Sequence, residues 1–353
     1  MFKNEVAEFI YKRTYSRWME DEGRREEWPE TIERFIDFLI LKNGEKIPEK
    51  TVKKIRQYML DFAVMPSMRF LWSAGPAAEK DNTVIYNCSF AKLNCVEAFA
   101  ECLHILMCGT GFGFSVEEDE VIKLPSIPEI KSGKDIARVT IDDSREGWAD
   151  SVKTLMTSLY EGQNIYFDYS QLRPEGARLS TMGGRSSGPQ PLIKLHDFIR
   201  ETMHNAQGRK LTSLECHDIA NQIAEIVVAG GVRRSSQISL SDLNDEDMRH
   251  AKDWPFPIRR AMANNSAIYR EKPTAADFLV EWGVLAKSGS GERGIFNLES
   301  AQNQAPARRY SSKIQGTNPC GEIMLRDMEF CNLSEVVVRE EDDLDSLLDK
   351  VET

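Results

Sequence analysis

The residues most able to do chemistry together lie in Gly316-Thr317-Asn318-Pro319-Cys320-Gly321-Glu322-Ile323, where a thiol has an amide two residues before it and a carboxylate two residues after it. Pro319 fixes its own φ and pushes Asn318 towards an extended conformation, and Gly321 lets the backbone turn sharply. The sequence therefore predicts a tight loop over residues 316–323 that holds Asn318, Cys320 and Glu322 close together. In such a loop the Glu322 carboxylate has general-base reach to a group bound at the thiol. Eleven positions on lies Cys331, shortly before the strand-like run Val336-Val337-Val338.

Two further stretches have ligand-binding character. Gly109-Thr110-Gly111-Phe112-Gly113 could bring backbone N–H groups close to a phosphate. It follows a helical pattern, whereas nucleotide-binding glycine runs follow a strand and open a helix, so a buried glycine-rich strand entry stays open beside the phosphate reading. Val232-Arg233-Arg234-Ser235-Ser236 is a basic, hydroxyl-rich loop suited to phosphate or base contact. Its alternative is a surface loop paired with Asp242 or Asp245.

These stretches need elements to position them. Residues 1–65 read as helical, with apolar faces of Val6, Phe9 and Ile10, then Ile32, Phe35, Ile36 and Leu39, then Ile55, Tyr58, Met59 and Phe62. Residues 66–75 read as a loop with a short strand, residues 84–90 as a strand, and residues 96–107 as an amphipathic helix. A helix over residues 212–229 starts in a capping box of Thr212 and Glu215 and buries Ile219, Ile223, Ile226 and Val227. Strands are expected at residues 165–169, 237–240, 264–268 and 294–298, a weak linker at 252–273, and a helix start from Asp342.

Composition sets outer limits. With 353 residues, 41% hydrophobic and 29% charged, the chain is long enough for one large or two ordinary globular domains. A net charge of −11 argues against a nucleic-acid-coating surface, and no apolar run is long enough to span a membrane. Seven cysteines at positions 88, 95, 102, 108, 216, 320 and 331, with no Cys-x-x-Cys pair, predict no disulfide scaffold and no metal site. Cys95, Cys102, Cys108 and Cys216 are expected to be buried, and the expected location is cytoplasmic.

Residues 66–75, Asn87-Cys88, residues 109–115, 230–242 and 316–322 with Cys331 together resemble, in order, the catalytic chain of ribonucleotide reductases. The 11-residue Cys320–Cys331 interval is most similar to the monomeric, adenosylcobalamin-dependent class. The resemblance implies an α/β fold: a helical N-terminal region (1–65), then (66–353) the first half of a ten-stranded α/β barrel with a central finger loop and the start of the second half. It implies that Cys320 is the thiyl radical that takes the ribose 3′ hydrogen, Glu322 a base on the 3′ hydroxyl, and Asn318 a hydrogen-bonding partner of the substrate hydroxyls. Cys88 and Cys331 would reduce the substrate and finish as a disulfide. Ser67 with Gly109, Gly111 and Gly113 would contact the ribonucleotide, and Val232, Arg233, Arg234, Ser235 and Ser236 would form the loop that answers to a deoxynucleotide effector.

The implied cofactor is adenosylcobalamin, and the implied partners are thioredoxin or a similar dithiol donor and a C-terminal half of the reductase supplied separately. Relatives continue past the position of Thr353, so the sequence is expected to be one piece of a split or truncated enzyme, inactive alone. The alternatives are an iron-dependent or glycyl-radical relative, or a non-catalytic nucleotide-binding remnant.

Overall fold

The computed structural model describes residues 2–131, 137–177, 185–229 and 235–353. The chain divides into two compact units, Met1–Asn87 with Asn332–Thr353, and Cys88–Cys331.

The first unit is mainly helical. It contains α1 (Glu5–Thr14), α2 (Trp28–Asn43), α3 (Glu49–Leu60) and α4 (Met68–Ser73). A capping box between Glu27 and Glu30 starts α2, and its Ile32, Phe35 and Ile36 are buried as the periodicity predicts. The expected apolar face of α1 is different: Val6, Phe9 and Ile10 are exposed, and Tyr11 is the buried residue. The Tyr11 ring packs edge-on against Trp28 and its hydroxyl lies 2.5 Å from Thr31, which turns the opposite side of the helix to solvent. Residues 68–73 are helix rather than strand because the Ser67 hydroxyl accepts from the Phe70 N–H, an N-cap. The last helix, Leu344–Glu352, is capped by Asp343 and tied to α3 by an ion pair from Lys54 to Asp349 at 2.5 Å.

The second unit is built on one six-stranded sheet. Its strands and main helices are β1 (Cys88–Lys92), α5 (Val96–Met107), β2 (Gly111–Ser115), α6 (Arg145–Tyr160), α7 (Gln190–Asn205), α8 (Ser213–Ala229), β3 (Gln237–Asp242), β4 (Ala263–Tyr269), α9 (Ala275–Ser288) and β5 (Gly294–Asn297). A hairpin of β6 (Gly316–Thr317) and β7 (Met324–Leu325) follows, then β8 (Glu329–Cys331). The sheet order is β5-β4-β3-β2-β1-β8; the first five are mutually parallel and β8 returns antiparallel to β1.

Parallel strands need crossovers, and helices α5, α8 and α9 lie between successive strands of this set. Every residue of β2 is buried, as expected of a strand covered on both faces. Helix α8 begins in the predicted reciprocal cap: Thr212 N donates to Glu215 Oε2 at 2.9 Å and Glu215 N to Thr212 Oγ1 at 3.2 Å. Its Ile219, Ile223, Ile226 and Val227 join Phe99, Leu103 and Phe112 in the main core. The weak linker expected at 252–273 instead contains β4, an inner strand of the sheet.

Candidate functional site

Phe90 of β1 and Gly111 and Gly113 of β2 lie against the loop that carries Cys320, and Cys88 stands beside Gly111 in the β1–β2 pair. Residues 316–325 form the predicted loop as a short antiparallel hairpin, with Gly316 opposite Leu325 and Thr317 opposite Met324. Across its tip Asn318 N donates to Ile323 O at 3.1 Å, and Gly321 N to Asn318 O at 2.9 Å. Gly321 has φ 85°, a conformation that favours glycine.

The hairpin is seated on glycines. A Cβ on Gly113 would stand 2.2 Å from the Thr317 carbonyl oxygen, and one on Gly316 would stand 2.1 Å from the Phe90 ring. A Cβ on Gly111 would meet both Cys88 Sγ and Pro319 at 3.0 Å. Gly111 and Gly113 thus lie inside β2 as the seat of the loop, which is the strand reading of the glycine run and not the phosphate-cradle one. Gly109, at φ 77°, closes the turn after α5, where its N–H donates to Leu106 O at 2.8 Å.

Cys88 and Cys331 sit directly opposite each other in the antiparallel β1–β8 pair. Facing residues in such a ladder have Cα atoms about 4.5–5.5 Å apart, inside the range a disulfide spans. Both thiols are free; Cys331 is buried and Cys88 half-buried, while Cys320 is exposed at the loop tip. A hydrogen bond between the pair lowers the Cys331 pKa and raises that of Cys88, which burial raises further. The Asn318 amide opposes part of that rise. Cys320 is also raised, first by burial and then by the Glu322 charge and Cys88.

The direction of these shifts restricts the chemistry. Nucleophilic cysteines are tuned down to thiolates. Cys320 and Cys88 are tuned up, so at neutral pH they keep their S–H hydrogens. An S–H that can give and retake a hydrogen atom, a carboxylate beside it, and a facing dithiol make a set for radical hydrogen transfer coupled to two-electron reduction.

Residues 1–76 match the family model for the ribonucleotide reductase alpha domain, and residues 117–203 match the B12-dependent ribonucleotide reductase insertion domain. The adenosylcobalamin-dependent ribonucleoside-triphosphate reductase of Lactobacillus gasseri is 30% identical over 413 aligned positions, covering 94% of this chain and 54% of that protein. The chain is similar to ribonucleotide reductases along nearly its whole length. The reductase of the same name from Levilactobacillus brevis is 29% identical over the same shares. A crystal structure of a B-12 dependent (class II) ribonucleotide reductase superposes with TM-score 0.79 at 26% identity, covering 93% of this chain and 55% of that one. The class Id reductase alpha subunit of Actinobacillus ureae shares the fold at TM-score 0.52 and 12% identity. The chain spans about half the length of the relatives it matches.

The structure gathers Asn318, Cys320, Glu322, Cys88 and Cys331 about one hairpin and one strand pair, and the charge on Glu322 acts on all three thiols. Ser67 lies in the other unit, where it caps α4. Val232, Arg233 and Arg234 fall outside the described residues; Ser235 and Ser236 lead into β3, where Ser236 O accepts from Phe112 N at 2.9 Å. Cys102, Cys108 and Cys216 are buried as expected, but Cys95 is exposed because it occupies the N-cap position of α5. Sequence reading missed Phe90 and Thr317. Their aromatic and hydroxyl groups carried no motif, and only the close approach of the hairpin gives them a role.

Proposed function

We propose that the chain carries the radical-bearing half of a class II ribonucleotide reductase, which converts ribonucleotides to deoxyribonucleotides for DNA precursor synthesis. The observation that carries this reading is the pairing of Cys88 opposite Cys331 on the strands that seat the Cys320 loop. The insertion-domain match favours the cobalamin class over the iron-dependent one. Adenosylcobalamin fits the donor set, because an exposed Cys320 held as S–H is a suitable hydrogen source; when bound it supplies the initiating radical by cleavage of its cobalt–carbon bond.

The remaining steps belong to residues of this chain. Cys320, as the thiyl radical, takes the 3′ hydrogen of the ribose while Glu322 accepts the 3′ hydroxyl proton. Asn318 orients the substrate hydroxyls. The 2′ hydroxyl leaves as water with a proton from the dithiol, and Cys88 and Cys331 give up two electrons and close as a disulfide. Cys320 then returns the hydrogen to C3′. A dithiol donor such as thioredoxin resets the pair. The five parallel strands are the first half of a ten-stranded barrel whose second half comes from the rest of the reductase. Gly109 approaches the substrate, and residues 232–236 answer to a deoxynucleotide effector. The setting is cytoplasmic.

The test is deoxynucleotide formation from ribonucleotides with adenosylcobalamin and a dithiol, for the chain alone and with the remaining half of a relative added. Turnover in the mixture, abolished by Cys320→Ser, is the expected result. A folded, assembled mixture with no turnover, or one in which Cys320→Ser remains active, overturns the reading.

A further inference from the structure

Asn318 is 1% exposed, and its amide has a defined orientation. The Ile323 N–H reaches one amide atom at 2.9 Å, and only an oxygen can accept it, so that atom is Oδ1. The Thr317 hydroxyl lies 3.2 Å from the same oxygen and 3.1 Å from Ile323 O. Nδ2 is left buried and without a hydrogen-bond partner among the described residues. An asparagine χ2 rotates in a broad well, so one backbone hydrogen bond leaves the plane of the amide loosely set. The one Thr317 hydroxyl hydrogen can go to Oδ1 or to Ile323 O, and given to Oδ1 it fixes the amide. Thr317 is able to supply that contact because it is itself immobile: its side chain is fully buried, and its carbonyl abuts Gly113.

We propose that Thr317 is a positioning residue, whose hydroxyl holds the Asn318 amide so that the Nδ2 hydrogens stay free for an oxygen or sulfur acceptor at the cysteine site. For turnover this rests on the reductase reading above; for the geometry of the amide it does not. The arrangement makes Asn318 a donor only. It serves a ribose hydroxyl oxygen or the Cys88 sulfur, and it repels a group that needs an acceptor. Thr317 acts through Asn318 and touches no reacting atom.

The experiment compares Thr317→Val, which keeps the shape and removes the hydroxyl, with Thr317→Ser, which keeps the hydroxyl. Thr317→Ala replaces the valine variant if that one does not fold. The first readout is hydrogen exchange of the Asn318 side-chain amide in the full chain, its signals assigned by their loss in Asn318→Asp. Exchange about fivefold faster in the valine variant, the scale of one hydrogen bond, with the wild-type rate in the serine variant, is the expected result. Equal rates in all three overturn the proposal, and so does a rise that serine fails to rescue, since that assigns the effect to the methyl group. The second readout is turnover in the reconstituted reductase, where kcat falls in the valine variant and recovers in the serine variant. If no variant or wild type turns over, the reductase reading fails and the exchange result still decides the role of Thr317.

Discussion

Arg293 and Asn318 are both about 1% exposed and belong to the same unit, yet their polar groups are treated in opposite ways. Arg293 uses every donor it has. Nε donates to Glu281 Oε1 at 2.6 Å, Nη1 to Ser241 Oγ and Asp242 O, and Nη2 to Leu243 O and Glu281 Oε2. Glu281, the buried residue of α9, also accepts from Arg249 at 2.9 Å. Asn318 accepts at its oxygen from the Ile323 N–H, with the Thr317 hydroxyl 3.2 Å away, while its nitrogen has no hydrogen-bond partner among the described residues. A buried charge must be fully paired or it costs several kcal/mol, whereas a neutral amide can be left one donor short at about 1–3 kcal/mol. The first cluster is complete as it stands. The second keeps a donor for the Cys88 sulfur or for a group that arrives.

The largest effect expected from this contrast is at Arg293. Arg293→Met removes one partner of a buried pair and leaves Glu281 short of charge, so denaturant unfolding should show a loss of about 3–5 kcal/mol. The Cys88 and Cys331 thiols should keep their reactivity, because nothing in this network reaches them. A loss under about 1 kcal/mol would show that the pair is solvated, and the contrast with Asn318 would collapse.

Next in size is a dependence on pH. His196 and His217 are buried, and burial lowers each pKa from 6.5 to about 3. Both nitrogens of His196 are engaged, by Ser151 at 2.9 Å and Tyr169 at 2.8 Å. His217 resembles Asn318: Nδ1 meets Ser239 at 2.9 Å and Nε2 has no partner among the described residues. Unfolding frees imidazoles that bind protons below pH 6.5, while the folded chain binds none until near 3. Stability is therefore intact above pH 6.5 and is lost as pH falls from there, by about 2 kcal/mol per histidine at pH 5. Unfolding curves at pH 7.5 and pH 5 measure this, and His217→Gln should remove about half of the difference. An unchanged slope in that variant would mean that His217 protonates in the folded state through its open Nε2.

The same distinction explains what could be read from the residues alone. The tight loop at 316–323 was legible because Pro and Gly restrict the backbone locally, and α8 because its cap and stripe are both encoded within 18 positions. The glycine run was ambiguous. Glycines admit any close neighbour, and whether that is a phosphate or another strand depends on a hairpin some 200 residues later. The exposed face of α1 was misread for a related reason, since Tyr11 combines an apolar ring with a hydroxyl that finds Thr31. Arg293 gave no signal at all: in the stretch Ser290-Gly291-Glu292-Arg293 it reads as a solvated loop charge. The cross-strand meeting of Cys88 and Cys331 followed from family resemblance; local patterning supplied the strand that ends near Cys88 but placed the other at 336–338, past the Glu329–Cys331 strand that the structure shows.

The smallest expected effect lies in the cysteine pair, where the incomplete site can be altered without disturbing the core. The hydrogen bond to Cys331 is the first cause of the raised Cys88 pKa, ahead of burial. In Cys331→Ser a hydroxyl replaces the group that takes the negative charge, so the Cys88 pKa should move down towards the ordinary thiol range. Each unit of that movement gives about tenfold more thiolate at a fixed pH below the pKa. Alkylation of Cys88, followed by peptide mass spectrometry across pH 7 to 10, should accordingly quicken in the variant, with Cys320 as internal reference. The reverse variant, Cys88→Ser, should slow Cys331, because its pKa is lowered first by the hydrogen bond that Cys88 supplies. Opposite responses from the two variants mean that the facing thiols share one charge, as a pair poised to close by losing two electrons should. Identical responses would mean that burial alone sets both values, and the two cysteines would then be neighbours in a sheet and not a redox couple.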